Sequence, residues 1–403
     1  MDRFFNRYAY LGTMGGAMAM LQVSPVQTNQ DLGDFISFAW EVYKDDPNWV
    51  PPLVSMMKEM FDAQKNPLWE HSEFQNFVVR RDGKVVGRIT ALINGSHNKI
   101  HQERMGFFGF FEVLEDYEAA EALFDAASEW VRARGMTALQ GPADPSVNDE
   151  YGLLVDGFDS PPVVMMPYNP PYYADFIERY GFSKAMDLWA YHLDTAIFGG
   201  KQVDKLPSKL LRVVDLARKR YNYTVRRFDL KDWDAEVERF KKVYNSAWEK
   251  NWGAVAMTDH EITHLADGLK QIMDPDLVFV VERDGEVVGV SITLPDVNQA
   301  LLRAYPRPTT WEPFTLLKFF WHYKIRPCID GIRVLILGVL EPYRGKGVDA
   351  LLYYETAMAA LPKGYKNAEM SWILETNEPM NRAIQFMGGE VYKTYRIYEK
   401  PLE

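Results

Sequence analysis

The sequence is poor in cysteine, in net positive charge and in long apolar runs. Its single cysteine, Cys328, has no partner for an intramolecular disulfide, which fits a reducing compartment. The 45 Lys and Arg are outnumbered by 56 Asp and Glu, giving a net charge of −11, so the basic surface that nucleic acids require is lacking. We therefore expect a cytoplasmic protein whose partners include neither nucleic acid nor membrane.

The first twenty residues combine a charged start with an apolar stretch at 8–23. That stretch is too short and too rich in glycine for a transmembrane helix, although Ala17-Met18-Ala19 is the kind of triplet found at signal-peptidase sites. Because the chain from Leu21 onward reads as a cytosolic enzyme, we interpret residues 1–20 as a disordered or over-extended N-terminus. An export signal is the alternative.

At 403 residues the chain is too long for one ordinary core, and its two halves repeat one order of elements. A strand and two helices precede a β-hairpin in each half, with the turns Arg81-Asp82-Gly83 and Arg283-Asp284-Gly285. Each half then continues as strand, helix, strand, helix, strand. This order predicts an α+β (mixed α/β) fold with domains at 21–195 and 222–403, joined by a helical connector at 196–221.

The most informative segment, residues 337–349, reads Leu-Gly-Val-Leu-Glu-Pro-Tyr-Arg-Gly-Lys-Gly-Val-Asp. An apolar strand enters a tight turn and an amphipathic helix leaves it. Gly345 and Gly347 let successive backbone N–H groups point at one spot, and the helix start adds positive dipole there. Arg344 and Lys346 supply charge-assisted contacts. The segment therefore predicts a pyrophosphate site.

This arrangement resembles the GNAT superfamily of acyl-CoA N-acyltransferases, whose coenzyme A loop reads Arg/Gln-x-x-Gly-x-Gly/Ala after a central strand. Arg344 and Gly347 match that pattern, whereas Asp349 departs from it at the last small position. The resemblance implies two tandem GNAT folds, each a mixed, mostly antiparallel sheet flanked by helices. It also implies acetyl-CoA, or another acyl-CoA, as co-substrate.

The same resemblance assigns a coenzyme site in the second half. The central strand would pair with the pantetheine arm, the loop would hold the diphosphate, and an asparagine at the start of a later helix completes the site. The coenzyme-binding residues implied are Leu337, Val339, Arg344, Gly345, Lys346, Gly347, Val348 and Asn377. We expect a bulky residue in place of Gly347 to abolish binding and leave the fold intact.

The catalytic groups are marked less clearly than the coenzyme site. The usual catalytic tyrosine of the family falls on Ile384, which cannot protonate a leaving thiolate. We expect Glu375, at the end of a strand facing the loop, to act as the base. Tyr392, Tyr395 and Tyr353 are the candidates for the acid.

The first half carries acids where the second half has its phosphate loop. Residues 112–118, Glu-Val-Leu-Glu-Asp-Tyr-Glu, contain no glycine and four acids, which would repel a pyrophosphate. We therefore expect a degenerate GNAT-like copy without coenzyme. Its long polar loops between 141 and 173 either contribute to binding or brace the two domains.

Two other patterns are given structural interpretations. His260-Glu-Ile-Thr-His264 is a literal HExxH zinc motif, but Thr258-Asp-His-Glu261 forms a capping box, so we expect no metal. The insert at 296–330 is rich in aromatic residues, which we expect to pack in the core, with a lid over the acceptor pocket as the alternative. They are Tyr305, Trp311, Phe314, Phe319, Phe320, Trp321 and Tyr323.

These patterns together predict an acyl-CoA-dependent N-acyltransferase that moves acetyl from acetyl-CoA to a primary amine of a small molecule or peptide. One alternative is a non-catalytic acyl-CoA-binding or scaffold protein. Another is transfer of a longer acyl or an aminoacyl group, because tandem GNAT folds also occur in N-myristoyltransferases and FemABX enzymes. The sequence does not define the oligomeric state and is compatible with a homo-oligomer.

Overall fold

The computed structural model describes residues 10–11, 20–248 and 251–403. The expectation for residues 1–20 falls almost wholly outside the described residues. The chain divides into two compact units: unit 1 comprises 1–187, 305–315 and 395–403, and unit 2 comprises 188–304 and 316–394. The domains expected from the sequence are continuous, whereas these units are not.

Unit 1 is built on a mixed sheet in the order β1-β2-β3-β4-β5-β6-β16. Among the described strands in this order, β5 and β6 pair in parallel and the other neighbours pair antiparallel. Its strands are β1 (Tyr10–Leu11), β2 (Met20–Pro25), β3 (Ser72–Arg81), β4 (Lys84–Asn94), β5 (Met105–Val113), β6 (Ala138–Gly141), β7 (Ala143–Asp144), β8 (Glu150–Tyr151), β9 (Leu153–Asp156) and the end of β16 (Glu390–Pro401). Its helices are α1 (Asn29–Ser37), α2 (Ala39–Val42), α3 (Val54–Met60), α4 (Gly95–His101), α5 (Tyr117–Arg132) and α6 (Tyr172–Arg179).

The core of unit 1 lies where α5 and α6 cover the sheet. The face of α5 that meets the strands is rich in alanine, which lets the helix approach closely, and Phe124 then stacks on Phe111 of β5 at 4.6 Å between ring centroids. Tyr173 and Ile177 of α6 are fully buried in the same cluster. These contacts hold β5, the central strand, rigidly in place.

Unit 2 repeats the arrangement in the order β10-β15-β14-β13-β12-β11, with β14 and β15 as its parallel pair. Its strands are β10 (Ser183–Asp194, from Leu188), β11 (Thr224–Arg227), β12 (Val278–Arg283), β13 (Glu286–Pro295), β14 (Gly331–Val339) and β15 (Asn367–Leu374). Its helices are α7 (Ser208–Tyr221), α8 (Trp233–Trp248), α9 (Asp259–Lys270), α10 (Asn298–Ala304), α11 (Glu312–Phe320, from Leu316), a π-helical turn (Trp321–Ile325), α12 (Val348–Lys363) and α13 (Glu378–Phe386).

Each predicted β-hairpin is confirmed, and its turn residues explain it. Asp82 and Gly83 between β3 and β4, and Asp284 and Gly285 between β12 and β13, all have positive φ. Two successive positive φ angles define the type I′ turn that joins twisted antiparallel strands. The predicted fold class is likewise confirmed, since both units have a mixed, mostly antiparallel sheet flanked by helices. None of the helices within the described residues is long and apolar enough to cross a bilayer.

The core packing expected for the aromatic insert is wrong for four of its seven members. Trp311, Phe314, Phe320 and Trp321 are exposed, whereas Tyr323 is buried. Helical spacing shows which residues share a face, but it does not show whether that face meets protein or solvent.

Candidate coenzyme cleft and active site

A cleft opens in unit 2 where the two parallel strands part. The pairing of β14 with β15 runs from Gly331 opposite Asn367 to Val334 opposite Met370. Beyond this point both strands continue, β14 to Val339 and β15 to Leu374, with no further pairing between their described residues. The backbone of β14 on this side therefore lies open to an extended ligand.

A bulge in β14 marks the apex of the cleft. On its other edge β14 pairs with β13, but Ile292 faces Ile336 while Thr293 faces Val334, so Leu335 is an extra residue. A bulge bends its strand and re-aims the neighbouring groups. Because it falls one residue after the last β14–β15 pair, it directs β14 away from β15.

The cleft contains a cavity of about 510 Å³ whose wall combines apolar and polar residues. Trp252, strands β14 and β15, and Tyr353, Met380 and Ile384 of α12 and α13 all line it. Several polar residues also lie in this wall. They are Asn251, Arg344, Asp349, Ser371, Thr376 and Asn377. A wall of this kind suits a ligand with a long apolar part and a polar end.

The predicted phosphate loop borders this cavity through Arg344 and Gly345. Gly345 and Gly347 have φ of 68° and 85°, and Gly347 is the residue before the first turn of α12, with no side chain capping the helix. The first N–H groups of a helix have no intrahelical acceptor, so this uncapped start retains donors for an anion. The apolar α12 behind it, with Val348 and Leu351 fully buried, fixes their direction.

The residues assigned to the coenzyme divide into two groups. Leu337, Val339, Arg344, Gly345 and Asn377 line the cavity. The others lie outside its wall: the Lys346 ammonium donates to the Pro342 carbonyl at 2.7 Å, Gly347 packs on α7, and Val348 is buried. Their roles toward a coenzyme stay predictions.

A buried polar cluster lies at the apex of the cleft. Ser371, in the cavity wall, donates a short hydrogen bond to the Glu369 carboxylate, which also accepts from the Tyr392 hydroxyl. Burial raises the pKa of Glu369, while Arg333, its neighbour across the parallel pair, opposes that rise. The arrangement connects the cavity to a buried proton acceptor through one hydroxyl.

The other candidate catalytic residues differ in whether they line the cavity. Tyr353 lines it, with its hydroxyl 3.0 Å from the Met380 sulfur, and burial raises the pKa of this phenol. Tyr395 is fully buried in unit 1, and Glu375 lies outside the cavity wall. The predicted roles of Glu375, Tyr392 and Tyr395 remain untested predictions.

Sequence reasoning missed Glu369 and Ser371, although a signal was present. Residues two apart on a strand point to the same face, and here two polar residues interrupt the apolar strand β15. Buried polar side chains need hydrogen-bond partners. Two such residues in an apolar strand therefore indicate a buried polar cluster.

In unit 1 the equivalent gap between β5 and β6 is filled by the chain itself. Their pairing ends at Phe107 opposite Gln140, after which β7 lies against β5. A methyl group on Gly109 would come within 1.8 Å of the Ala143 carbonyl oxygen, and the Phe110 N–H donates to Asp144 at 2.5 Å. An extended ligand therefore finds no open edge on β5.

Three of the four acids of residues 112–118 form ion pairs within unit 1. Asp116 caps α5 and accepts two hydrogen bonds from Arg81, at 2.8 and 2.9 Å, and Glu118 contacts the same guanidinium at 3.1 Å. Glu112 lies beside Arg88 with 12% of its side chain exposed and accepts from the Tyr173 hydroxyl at 2.8 Å, and desolvation raises its pKa to about 7. Unit 1 thus has carboxylates where unit 2 has backbone N–H groups that can donate to an anion.

The capping box at the start of α9 is confirmed. The Glu261 N–H donates to the Thr258 hydroxyl at 3.2 Å, and the Thr258 N–H donates to the Glu261 carboxylate at 2.7 Å. This use of Glu261 explains the motif without a metal. In the described part of the chain, no three His, Cys, Asp or Glu side chains are grouped so that they could hold a metal ion.

The fold and the cleft together define a tandem GNAT-fold protein whose first copy is degenerate. A tandem GNAT protein from the clavulanic acid biosynthesis pathway superposes with a TM-score of 0.56 over 95% of this chain and 99% of that one, at 13% identity. The predicted tandem GNAT fold is therefore confirmed.

Sequence comparison narrows the class to a family. No protein-family model matches the chain. Protein YghO of Escherichia coli is 35% identical over 377 residues, covering 92% of this chain and 93% of that protein. The bacterial ceramide synthase of Caulobacter vibrioides is 35% identical over 391 residues, covering 95% and 98%. The chain belongs to the same family as these two proteins.

Proposed function

We propose that the protein is an acyl-CoA-dependent N-acyltransferase that joins a long-chain acyl group to the primary amine of a lipid-like acceptor. Ceramides are amides of a fatty acid with a long-chain amino alcohol, and the relative from Caulobacter vibrioides is named for their synthesis. The observation that carries the proposal is the set of apolar side chains in the wall of the unit 2 cavity, which includes Leu335, Met370, Met380 and Ile384.

The position of Ile384 favours a long acyl chain over acetyl. In acetyl transfer the tyrosine expected at this place would close the cavity with a polar hydroxyl. Ile384 instead extends an apolar wall formed with Met380, Met370 and Leu335. Burial of each further methylene against such a wall contributes about 0.8 kcal/mol to binding.

The proposed chemistry uses the cluster at the apex. The neutral amine nitrogen attacks the thioester carbonyl carbon, the carbon–sulfur bond breaks, and coenzyme A leaves as its thiol. Glu369 accepts the proton from nitrogen through the Ser371 hydroxyl, and the same route returns a proton to the departing sulfur. Tyr392 and Arg333 hold the Glu369 carboxylate in place.

Product analysis by mass spectrometry tests the proposal. Acyl-CoAs of rising chain length are offered with a long-chain amino alcohol or with ethanolamine. We expect kcat/KM to rise with the length of both partners. A preference for acetyl-CoA with a short amine would favour the acetyltransferase alternative, and coenzyme binding without any turnover would favour the scaffold alternative.

The proposed base has its own test. Glu369→Gln keeps an acceptor for Ser371 and removes the proton acceptor, so kcat should fall about a hundredfold or more with coenzyme affinity retained. Glu378→Gln, on the exposed start of α13, is the matched control and should act like the parent. Equal kcat in the two variants would rule out Glu369.

A further inference from the structure

An exposed apolar surface lies at the end of α11 and the π-helical turn in unit 2. We call it the 317–326 surface. Its apolar members are Leu317, Phe320, Trp321 and Ile325, of which Leu317 and Ile325 are 65% and 64% exposed. Large apolar side chains seldom cluster on a solvent-exposed face unless that face binds a protein, a membrane or a ligand.

The opposite side of the segment anchors it to unit 2. Tyr323 is buried, donates to the Ile272 carbonyl at 2.9 Å and packs against the Phe319 ring. The segment is therefore held by one face while the 317–326 surface points outward. It is a fixed feature of the fold and needs no rearrangement to become available.

The charged residues within this segment are all basic. Lys318, Lys324 and Arg326 are exposed, and residues 313–329 contain no Asp or Glu. This is unusual in a chain whose net charge is −11. Within the described residues, neither Lys324 nor Arg326 forms an ion pair, and the Lys324 ammonium lies over the Tyr323 ring at 3.9 Å.

We propose that the 317–326 surface docks the protein on an anionic phospholipid bilayer. Trp, Phe and Leu on one face with Lys and Arg beside them is the composition of a helix that lies in the membrane interface. The basic residues complement anionic headgroups, and the apolar residues enter the boundary of the acyl chains. A protein partner would need no such enrichment in cations around an aromatic centre.

This proposal rests on the proposed function, because a lipid-like amine resides in a membrane and docking would give the enzyme access to it. It departs from the expectation that no membrane is among the partners. That expectation followed from the lack of a membrane-spanning stretch, and a surface that lies on the bilayer needs none.

Co-sedimentation of the full chain with lipid vesicles tests the proposal. The parent should bind vesicles of phosphatidylcholine and phosphatidylglycerol in equal parts more tightly than vesicles of phosphatidylcholine alone. Added salt should weaken the binding, because it screens the basic residues.

Two double variants separate the contributions, and a third is their control. Lys324→Glu with Arg326→Glu should lower the partition coefficient by more than about tenfold, since each basic residue near an anionic surface contributes roughly fivefold. Leu317→Ser with Ile325→Ser should lower binding to both kinds of vesicle. The control, Lys99→Glu with Ile100→Ser, makes the same exchanges on the exposed end of α4 in unit 1 and should bind like the parent.

The outcomes distinguish this proposal from the proposed function. Failure of the parent to bind anionic vesicles, or equal binding by all variants, would overturn the docking surface. So would a dimer of the parent that the 317–326 variants dissociate, since the surface would then join two copies. Retained turnover of short, water-soluble substrates in both 317–326 variants shows that the transferase itself is intact. Vesicle binding by a parent without any turnover would contradict only the proposed function.

Discussion

The two glycines of the phosphate loop should respond differently to the same small substitution. Gly347 has φ of 85°, and a methyl group there would lie 2.9 Å from the Ala217 Cβ and 3.3 Å from Val213 of α7. The left-handed backbone costs an alanine about 1–2 kcal/mol, and overpacking adds about 1–3 kcal/mol. Gly347→Ala should therefore destabilise the protein by roughly 2–5 kcal/mol. This packing argues against the expectation that a bulky residue at Gly347 leaves the fold intact.

Gly345 provides the cleaner perturbation. Its φ of 68° costs an alanine the same 1–2 kcal/mol or so, but nothing lies within 4 Å of the added methyl group. Gly345→Ala should retain the fold and weaken coenzyme A binding, because an alanine that relaxes out of the left-handed region turns backbone N–H groups of the loop away from the diphosphate. A lost hydrogen bond to a charged group is worth about 1.5–3 kcal/mol, or at least tenfold in affinity.

Thermal unfolding and calorimetric titration of both variants with coenzyme A decide the matter. We expect the larger drop in Tm from Gly347→Ala and a folded, weakly binding Gly345→Ala. Equal Tm values would refute the packing argument. Parental affinity in Gly345→Ala would mean that the diphosphate binds elsewhere.

Three further predictions concern stability and specificity. Thr258→Ala should lower the free energy of unfolding by about 1 kcal/mol in denaturant titration, the usual value of a helix cap, whereas His264→Ala should leave it unchanged. Zinc near one equivalent per chain would contradict the capping-box interpretation. Because burial raises the pKa of Glu112 from 4.5 to about 7, the folded state binds an extra proton in that window, so stability should fall by roughly 3 kcal/mol as pH rises through it. Glu112→Gln should flatten this dependence, and an unchanged profile would exclude Glu112 as its source. Ile384→Tyr should shift the preference from long to short acyl-CoAs in competition assays, and an unchanged preference would contradict the role given to that wall.

Features that depend on neighbouring residues were predictable from the sequence. The hairpin turns at Asp82-Gly83 and Asp284-Gly285, the capping box of Thr258, and the strand–loop–helix around Gly345 each rest on local backbone chemistry. The structure has all of them where the pattern predicts.

Features set by distant packing were not predictable in the same way. Unit 1 includes residues 305–315 and 395–403, which lie far in the chain from its main segment and join it only through tertiary contacts. The bulge at Leu335 arises only when β14 pairs with β13, and the hydrogen bond from Tyr392 to Glu369 arises only when β16 lies close to β15. The exposure of Trp321 likewise depends on which face of its helix Tyr323 anchors.

The degenerate state of unit 1 combines both kinds of information. The acids of residues 112–118 are visible in the sequence, and they predicted the loss of a phosphate site. The closure of the strand gap by β7 against Gly109 is not visible there, because it depends on how residues 30 or so positions apart come together.

The central claim is that one cleft per chain, between β14 and β15 of unit 2, holds the acyl-CoA. Calorimetric titration of the full chain with decanoyl-CoA tests it most directly, with Ala383→Trp, which fills the cavity from α13, as the perturbed partner. We predict one site per chain in the parent and none in a variant whose melting temperature shows that it is folded. Two equivalent sites in the parent, or one site that Ala383→Trp leaves unchanged, would contradict the account.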